Sequence, residues 1–133
     1  FIIGIAALAF EVQWGNPLGA ALIMVTFSLV GTGAGMLIGT TFSNAEQAAG
    51  LSVFFSLLLA ALGGAMVPLE IFPDTMRQIA HVTPHAWAID GYSELIRLSG
   101  TAADIVRELG VLLAMGVALL TLSTWQFRRV LTR

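Results

Sequence analysis

Long apolar runs alternate with short polar breaks along this chain, and the length of each run decides what it is. Phe1 to Phe10 is apolar throughout and is followed by Glu11. Between Leu18 and Phe42, between Gln47 and Val67, and between Leu109 and Phe127 there is no Asp, Glu, Lys or Arg. Charge-free apolar runs of about 18 residues or more read as membrane spans. A helix from Leu18 to Phe42 rises about 37 Å, enough for a hydrocarbon core of about 30 Å with some tilt. The pattern therefore predicts an all-α membrane bundle. It has the end of one span over 1–12 and three full spans over 18–42, 47–67 and 109–127.

The polar segment between the last two spans has a different period. It carries Glu70, Asp74, Asp90, Glu94, Asp104 and Glu108 beside Arg77, Arg97 and Arg107. Each charge costs about 2.5–3.5 kcal/mol at the centre of a membrane helix, so this segment belongs at the interface or above it. Asp74, Arg77, Gln78 and His81 fall on one side of a helix over 74–83, with Met76, Ile79 and Ala80 opposite. A second helix over 84–99 sets a polar stripe of Asp90, Ser93, Glu94 and Arg97 against Ala88, Ile89, Tyr92, Leu95 and Ile96. Trp87 and Tyr92 suit the headgroup level, so the pair is expected to lie at the interface as an external amphipathic cap.

The breaks are as informative as the runs. Gly63, Gly64, Pro68 and Pro73 interrupt the chain where the third span meets the polar segment; Gly and Pro cost about 1 and about 3 kcal/mol in a helix interior. This is the expected helix break and candidate gate. Asn16 and Pro17 are placed to open the second span. Ser43 with Glu46 matches a capping box for the third, and Ser43, Glu46 and Gln47 form a possible contact with a partner beneath the membrane. Asp74 and Thr83 are expected to cap the two short helices, with Pro84 opening the second and Gly100 closing it. Thr101 and Asp104 repeat the capping pattern before the last span. Gly31, Gly35 and Gly39 recur on one helix face, where small residues admit a neighbouring backbone, in another subunit or in the same one.

Composition narrows the classes. Of 133 residues 57% are hydrophobic and 11% charged, against about 25% charged in soluble domains. Net charge is −2 and every cation is Arg, which excludes a basic nucleic-acid surface. Cysteine is absent, so there is no disulfide and no thiol chemistry. The chain opens on Phe1 inside an apolar run and reads as a fragment that begins within a transmembrane helix. Arg128, Arg129 and Arg133 follow the last span, and the positive-inside rule puts that end in the cytoplasm. The polar segment then lies outside.

Little here suggests chemistry. His81 and His85 are four apart and could share a metal on one helix face, but Pro84 lies between them and no third ligand is near. There is no zinc-protease motif, nucleophile elbow or phosphate-binding loop. No catalytic, cofactor-binding or metal residue is expected.

Taken in order, the Ser43-Asn44-Ala45-Glu46-Gln47 turn, the helix ending in Gly63-Gly64, the Pro68-Leu69-Glu70-Ile71-Phe72-Pro73 stretch, the amphipathic piece Thr75–Val82, Thr83-Pro84 with Trp87 and Asp90, and a final span ending in Arg128-Arg129 resemble the C-terminal half of the ABC-2 type transporter permeases. Members often carry an Arg shortly after the position of Asp90, where this chain has Ser93, with Arg97 the nearest cation. The resemblance implies the end of the third span and the fourth to sixth spans of a bacterial inner-membrane permease. It implies a second permease subunit, identical or paralogous, and ATPase subunits docked below. ATP and Mg would be bound on those partners and none in this chain. It implies export of an amphiphilic drug, lipid or polymer. Two other readings stay open: a non-transporting membrane scaffold, and an interfacial lipid-modifying enzyme using His81, His85, Asp90 or Glu94.

Overall fold

In a computed structural model, which describes residues 2–131, six α-helices and one 3₁₀ turn form, with no strand among the described residues. They are α1 (Ile2–Phe10), α2 (Pro17–Thr41), α3 (Ala45–Leu62), the 3₁₀ turn Leu69–Ile71, α4 (Asp74–Ala80), α5 (Pro84–Arg97) and α6 (Val106–Leu131). Three of them, α2, α3 and α6, are long and apolar enough to cross a membrane. Phe1 and Arg133 lie outside the described residues.

The centre of the fold is the parallel pair α2 and α6. Its register runs from Val30 beside Gly116, through Gly33 beside Leu119, to Thr41, whose hydroxyl accepts a 2.8 Å hydrogen bond from Gln126. Close approach is made at Gly33 and Gly116. A Cβ on Gly33 would stand 2.7 Å from Leu119 Cβ and 3.0 Å from the Leu120 backbone; one on Gly116 would stand 3.1 Å from Leu29 Cβ. Nothing lies within 4 Å of such an atom on Gly31, Gly35 or Gly39. The glycine face marked by the sequence therefore seats no helix of this chain. Helix rotation decides this: it turns Gly33 toward α6 and the other three away.

At the end where α2 and α6 both begin, α5 lies across them. Leu95 and Ile105 are wholly buried there with Ile23 and Leu112, and Phe27, Trp87 and Tyr92 pack onto that cluster. The turn before α2 fits beneath α5. Gly15 has φ +70, and a Cβ there would meet the Leu95 carbonyl oxygen at 2.2 Å. Trp14 meets Tyr92 edge-on with ring centroids 6.4 Å apart. Thus Trp87 and Tyr92, expected at the headgroup level, turn inward against the spans, and α5 is docked on the bundle. A smaller cluster of Leu69, Ala80 and Ala86 holds the 3₁₀ turn and α4 to α5.

Several boundaries differ from expectation, each for a local reason. Helix α3 stops at Leu62, short of Val67, because Gly63 takes the C-cap position and Gly64 has φ +90. Its N-cap is Asn44: the helix starts at Ala45, and Asn44 Oδ1 accepts from the N–H groups of Glu46 (2.9 Å) and Gln47 (3.4 Å), which leaves Ser43 a residue too early. Asp74 is the first residue of α4 behind Pro73, not its cap. Thr83 precedes α5, but its hydroxyl donates back to the Ala80 carbonyl at 2.8 Å instead of capping. After α5, Ser99 takes the left-handed conformation (φ 55), while the Gly100 N–H returns to the Glu94 carbonyl. The Thr101–Asp104 contact forms, but α6 begins later, at Val106. Asn16 caps α2 as expected, accepting from the Gly19 N–H at 2.9 Å.

Candidate functional site

The place where membrane helix gives way to polar cap is built from the residues that break the helix. A Cβ on Gly63 would stand 2.3 Å from Thr83 Oγ1 and 2.5 Å from His85 Cβ, so the end of α3 touches the turn between α4 and α5. A Cβ on Gly64 would meet the Leu69 side chain at 2.4 Å. Pro68 and Pro73 both hold extended backbone (ψ 134 and ψ 151) on either side of the 3₁₀ turn. Their fixed φ suits positions ahead of a helical turn, where an N–H is not needed. The Leu69 carbonyl is satisfied by Arg77, whose Nε and Nη2 donate to it at 3.2 and 3.1 Å. Leu69 is buried, and a buried carbonyl needs such partners.

Above this joint, the polar residues of the cap form a chain. His81 closes α4, with Nδ1 2.7 Å from the Arg77 carbonyl and Nε2 2.7 Å from Asp90 Oδ2 on α5. Trp87 Nε1 donates to the His81 carbonyl at 2.7 Å, and its ring meets His81 edge-on at 5.0 Å. Arg107 of α6 lies over the Trp87 ring at 5.2 Å. Burial pushes the His81 pKa down, but the Arg77 carbonyl, the Asp90 hydrogen bond and the Asp90 charge outweigh it and raise the pKa above 6.5. The basic side chain facing Asp90 is therefore His81. Arg97 instead pairs with Glu70, both well exposed, and ties the end of α5 to the 3₁₀ turn.

The other histidine does the opposite. The His85 ring packs edge-on to Phe27 at 5.1 Å, and its buried Nδ1 has no hydrogen-bond partner. Burial lowers its pKa and so favours the neutral ring. The two histidines thus point to different neighbours, and no group of three or more metal-ligating side chains occurs among the described residues.

His85 also borders an open cleft of about 660 Å³ between α2, α3 and α6, with Val82 and Pro84 at its edge. Its walls are mostly apolar, including Phe27, Phe55, Leu59 and Met115, with Ser52 and Ser56 on α3. Gly31 and Gly35 line it too; their missing side chains widen the space. A second cleft, of about 360 Å³, lies on the other side of His85, against Met24, Ala65 and Tyr92. At the far end of the bundle, Ser43, Glu46 and Gln47 are exposed in the α2–α3 turn. Sequence reasoning missed Gly33, Gly116, Arg77 and the His81–Asp90 pair. Gly33 and Gly116 each have Leu four residues away on both sides, so neither stood in a small-residue pattern, and the His81 pairing had no sequence signal either.

Three charge-poor membrane helices with a docked polar cap define a multi-pass helical membrane protein. A family model described as "ABC-2 family transporter protein" matches residues 1–125. The chain belongs to the ABC-2 transporter family. It is 30% identical over 105 residues to the linearmycin resistance permease protein LnrN of Bacillus subtilis (strain 168), a match covering 79% of this chain. The chain spans about a quarter (27%) of the length of that curated relative. No solved structure matches it.

Proposed function

We propose that this chain is part of the membrane-spanning subunit of an ATP-driven exporter that moves an amphiphilic drug, lipid or polymer out of a bacterial cell. The observation that carries the proposal is family membership over residues 1–125, on a chain whose spans border an open, mostly apolar cleft of about 660 Å³. An apolar wall with a few polar groups (Ser52, Ser56 and the unpartnered His85 Nδ1) suits an amphiphile better than an ion. The name of the matched relative, a linearmycin resistance permease, supports a drug-like cargo. ATP and Mg²⁺ would be held by a separate ATPase subunit, not by this chain. A second permease subunit would complete the pathway, and Gly63, Gly64, Pro68 and Pro73 would form the hinge of its gate under a cap of Pro84, Trp87, Asp90, Tyr92 and Arg97. Gly31, Gly35 and Gly39 would serve contacts beyond this chain. The Ser43–Gln47 turn would face the ATPase from the cytoplasm, on the same side as the C-terminal Arg residues.

The test is reconstitution of the full-length permease with its ATPase in lipid vesicles. The expected result is vanadate-sensitive ATP hydrolysis that rises on adding amphiphiles, with ATP-dependent movement of a fluorescent amphiphile. A permease that neither binds an ATPase nor alters its rate would support the scaffold reading. Replacing Gly63 and Gly64 together by Leu is expected to abolish transport while the protein still inserts; unchanged export would refute the hinge.

A further inference from the structure

His81 stands where α4, α5 and α6 converge, and both of its ring nitrogens face oxygens. Nδ1 lies 2.7 Å from the Arg77 carbonyl, and Nε2 lies 2.7 Å from an Asp90 carboxylate oxygen. A carbonyl can only accept a hydrogen bond, and an ionised carboxylate likewise. A neutral imidazole has one N–H and one lone pair, so it can satisfy one of these oxygens and must turn a lone pair on the other. The doubly protonated ring satisfies both. We propose that His81 is a pH-sensitive clasp: as an imidazolium it joins the C-terminus of α4 to Asp90 on α5, and on losing a proton it releases one of the two, loosening the cap above the α3 break.

The surroundings of the ring support the charged form from more than one side. On its own helix it faces the Arg77 carbonyl, at a helix C-terminus where a cation is favoured; the Arg77 guanidinium is turned away to the Leu69 carbonyl. From α5 it faces the Asp90 carboxylate and the edge of Trp87. From α6, Arg107 opposes it electrostatically but sits over the Trp87 ring. The His81 side chain is 24% exposed, so protons reach it. Its backbone carbonyl also accepts from Trp87 Nε1, so movement of His81 is passed to the aromatic that packs on the α2–α6 core.

The direction of the effect follows from linkage. The pKa of His81 in the folded protein is raised above 6.5. The clasp's stabilisation is therefore fully present below about 6.5 and is lost as pH rises through the raised value. A cap that tightens in an acidic medium and loosens in a neutral or alkaline one would set the ease of opening by the pH of the compartment it faces. The clasp requires no particular cargo and does not depend on the proposed transport direction.

The test uses the full-length permease in lipid nanodiscs with isotope-labelled histidine, read by NMR of the ring nitrogens. His81 is assigned by the signal lost in His81→Gln. At about pH 6 both His81 nitrogens are expected to carry protons, and the neutral form is expected to appear at higher pH than for an ordinary histidine. Asp90→Asn is expected to shift that titration to lower pH. Amide exchange over 77–83, corrected for its intrinsic pH dependence, is expected to quicken about tenfold between about pH 6 and about pH 8, the size of one charge-assisted hydrogen bond. His81→Gln should flatten that response. A His81 ring that is neutral at about pH 6, a titration that ignores Asp90→Asn, or an exchange response that persists in His81→Gln would each overturn the proposal. Backbone correlation of His81 to its neighbours Ala80 and Val82 assigns the signal independently of any variant, so a His81→Gln protein that misfolds leaves the wild-type titration readable and the proposal testable.

Discussion

Helices α2 and α3 are both apolar spans free of charge in their membrane-depth stretches, yet they are held in opposite ways. Helix α2 buries Ala20, Ile23, Val30 and Gly33, mainly against α6. Helix α3 buries no residue at all, and Val53, Phe54, Leu57 and Leu58 stand exposed. Apolarity alone therefore says that a helix enters the membrane, not what it packs against. In lipid the burial of apolar surface gives little reason for two helices to meet; close steric fit does. Gly33 and Gly116 supply that fit to α2 and α6. Helix α3 is fixed at its ends, by Asn44 at one and by the Gly63 contact with Thr83 and His85 at the other.

The largest expected effect therefore falls on the α2–α6 seam. Gly33→Leu puts carbon where Leu119 Cβ and the Leu120 backbone already sit, and should cost about 3 kcal/mol, measurable as a drop in the midpoint of thermal unfolding of the full-length protein in detergent. Gly63→Ala should cost about 2 kcal/mol, because its Cβ would fall between Thr83 Oγ1 and His85 Cβ; increased proteolysis of the 64–83 segment would report it. Asn44→Ala should cost about 1 kcal/mol through loss of the α3 cap, whereas Ser43→Ala should not be felt; denaturant midpoints would separate the two. Gly31→Leu, in open space, should change stability by less than about 0.5 kcal/mol. A Gly31→Leu variant as unstable as Gly33→Leu would place another helix on that face and remove the contrast between the two glycine sets.

The histidines allow a comparison of sign. Burial depresses the pKa of His85, so the unfolded chain binds a proton more readily than the folded one. Its effect is to lower stability as pH falls below about 6.5, whereas the effect of His81 is to lower stability as pH rises. In His81→Gln, acid should only destabilise; in His85→Gln, alkali should be the more damaging direction. Unfolding midpoints across pH would check both.

Much of this molecule was legible in order along the chain. Three spans, the turn at Asn16-Pro17, the break at Gly63-Gly64 and a helix opening at Pro84 follow from local rules, because hydropathy, backbone freedom and missing donors act within a few residues. The resemblance to ABC-2 permeases was carried by those same punctuation residues. Capping was read less well. Ser43 and Asn44 are adjacent candidates, and only the first helical residue decides between them. Side-chain pairing within the cap was not legible: Arg97 stood as the nearest cation after Asp90, while the fold gives Arg97 to Glu70 and His81 to Asp90.

The sequence by itself determined which segments enter the membrane and where they break, since those depend on composition and backbone conformation over a single turn or span. The tertiary structure decided which face of each helix is used. Rotation of α2 by a fraction of a turn exchanges Gly33 for Gly31 at the seam, and docking of α5 turns Trp87 and Tyr92 inward. It also brings His81 between two acceptors. Those choices rest on contacts between residues distant in sequence, where close packing admits one arrangement and excludes its neighbours.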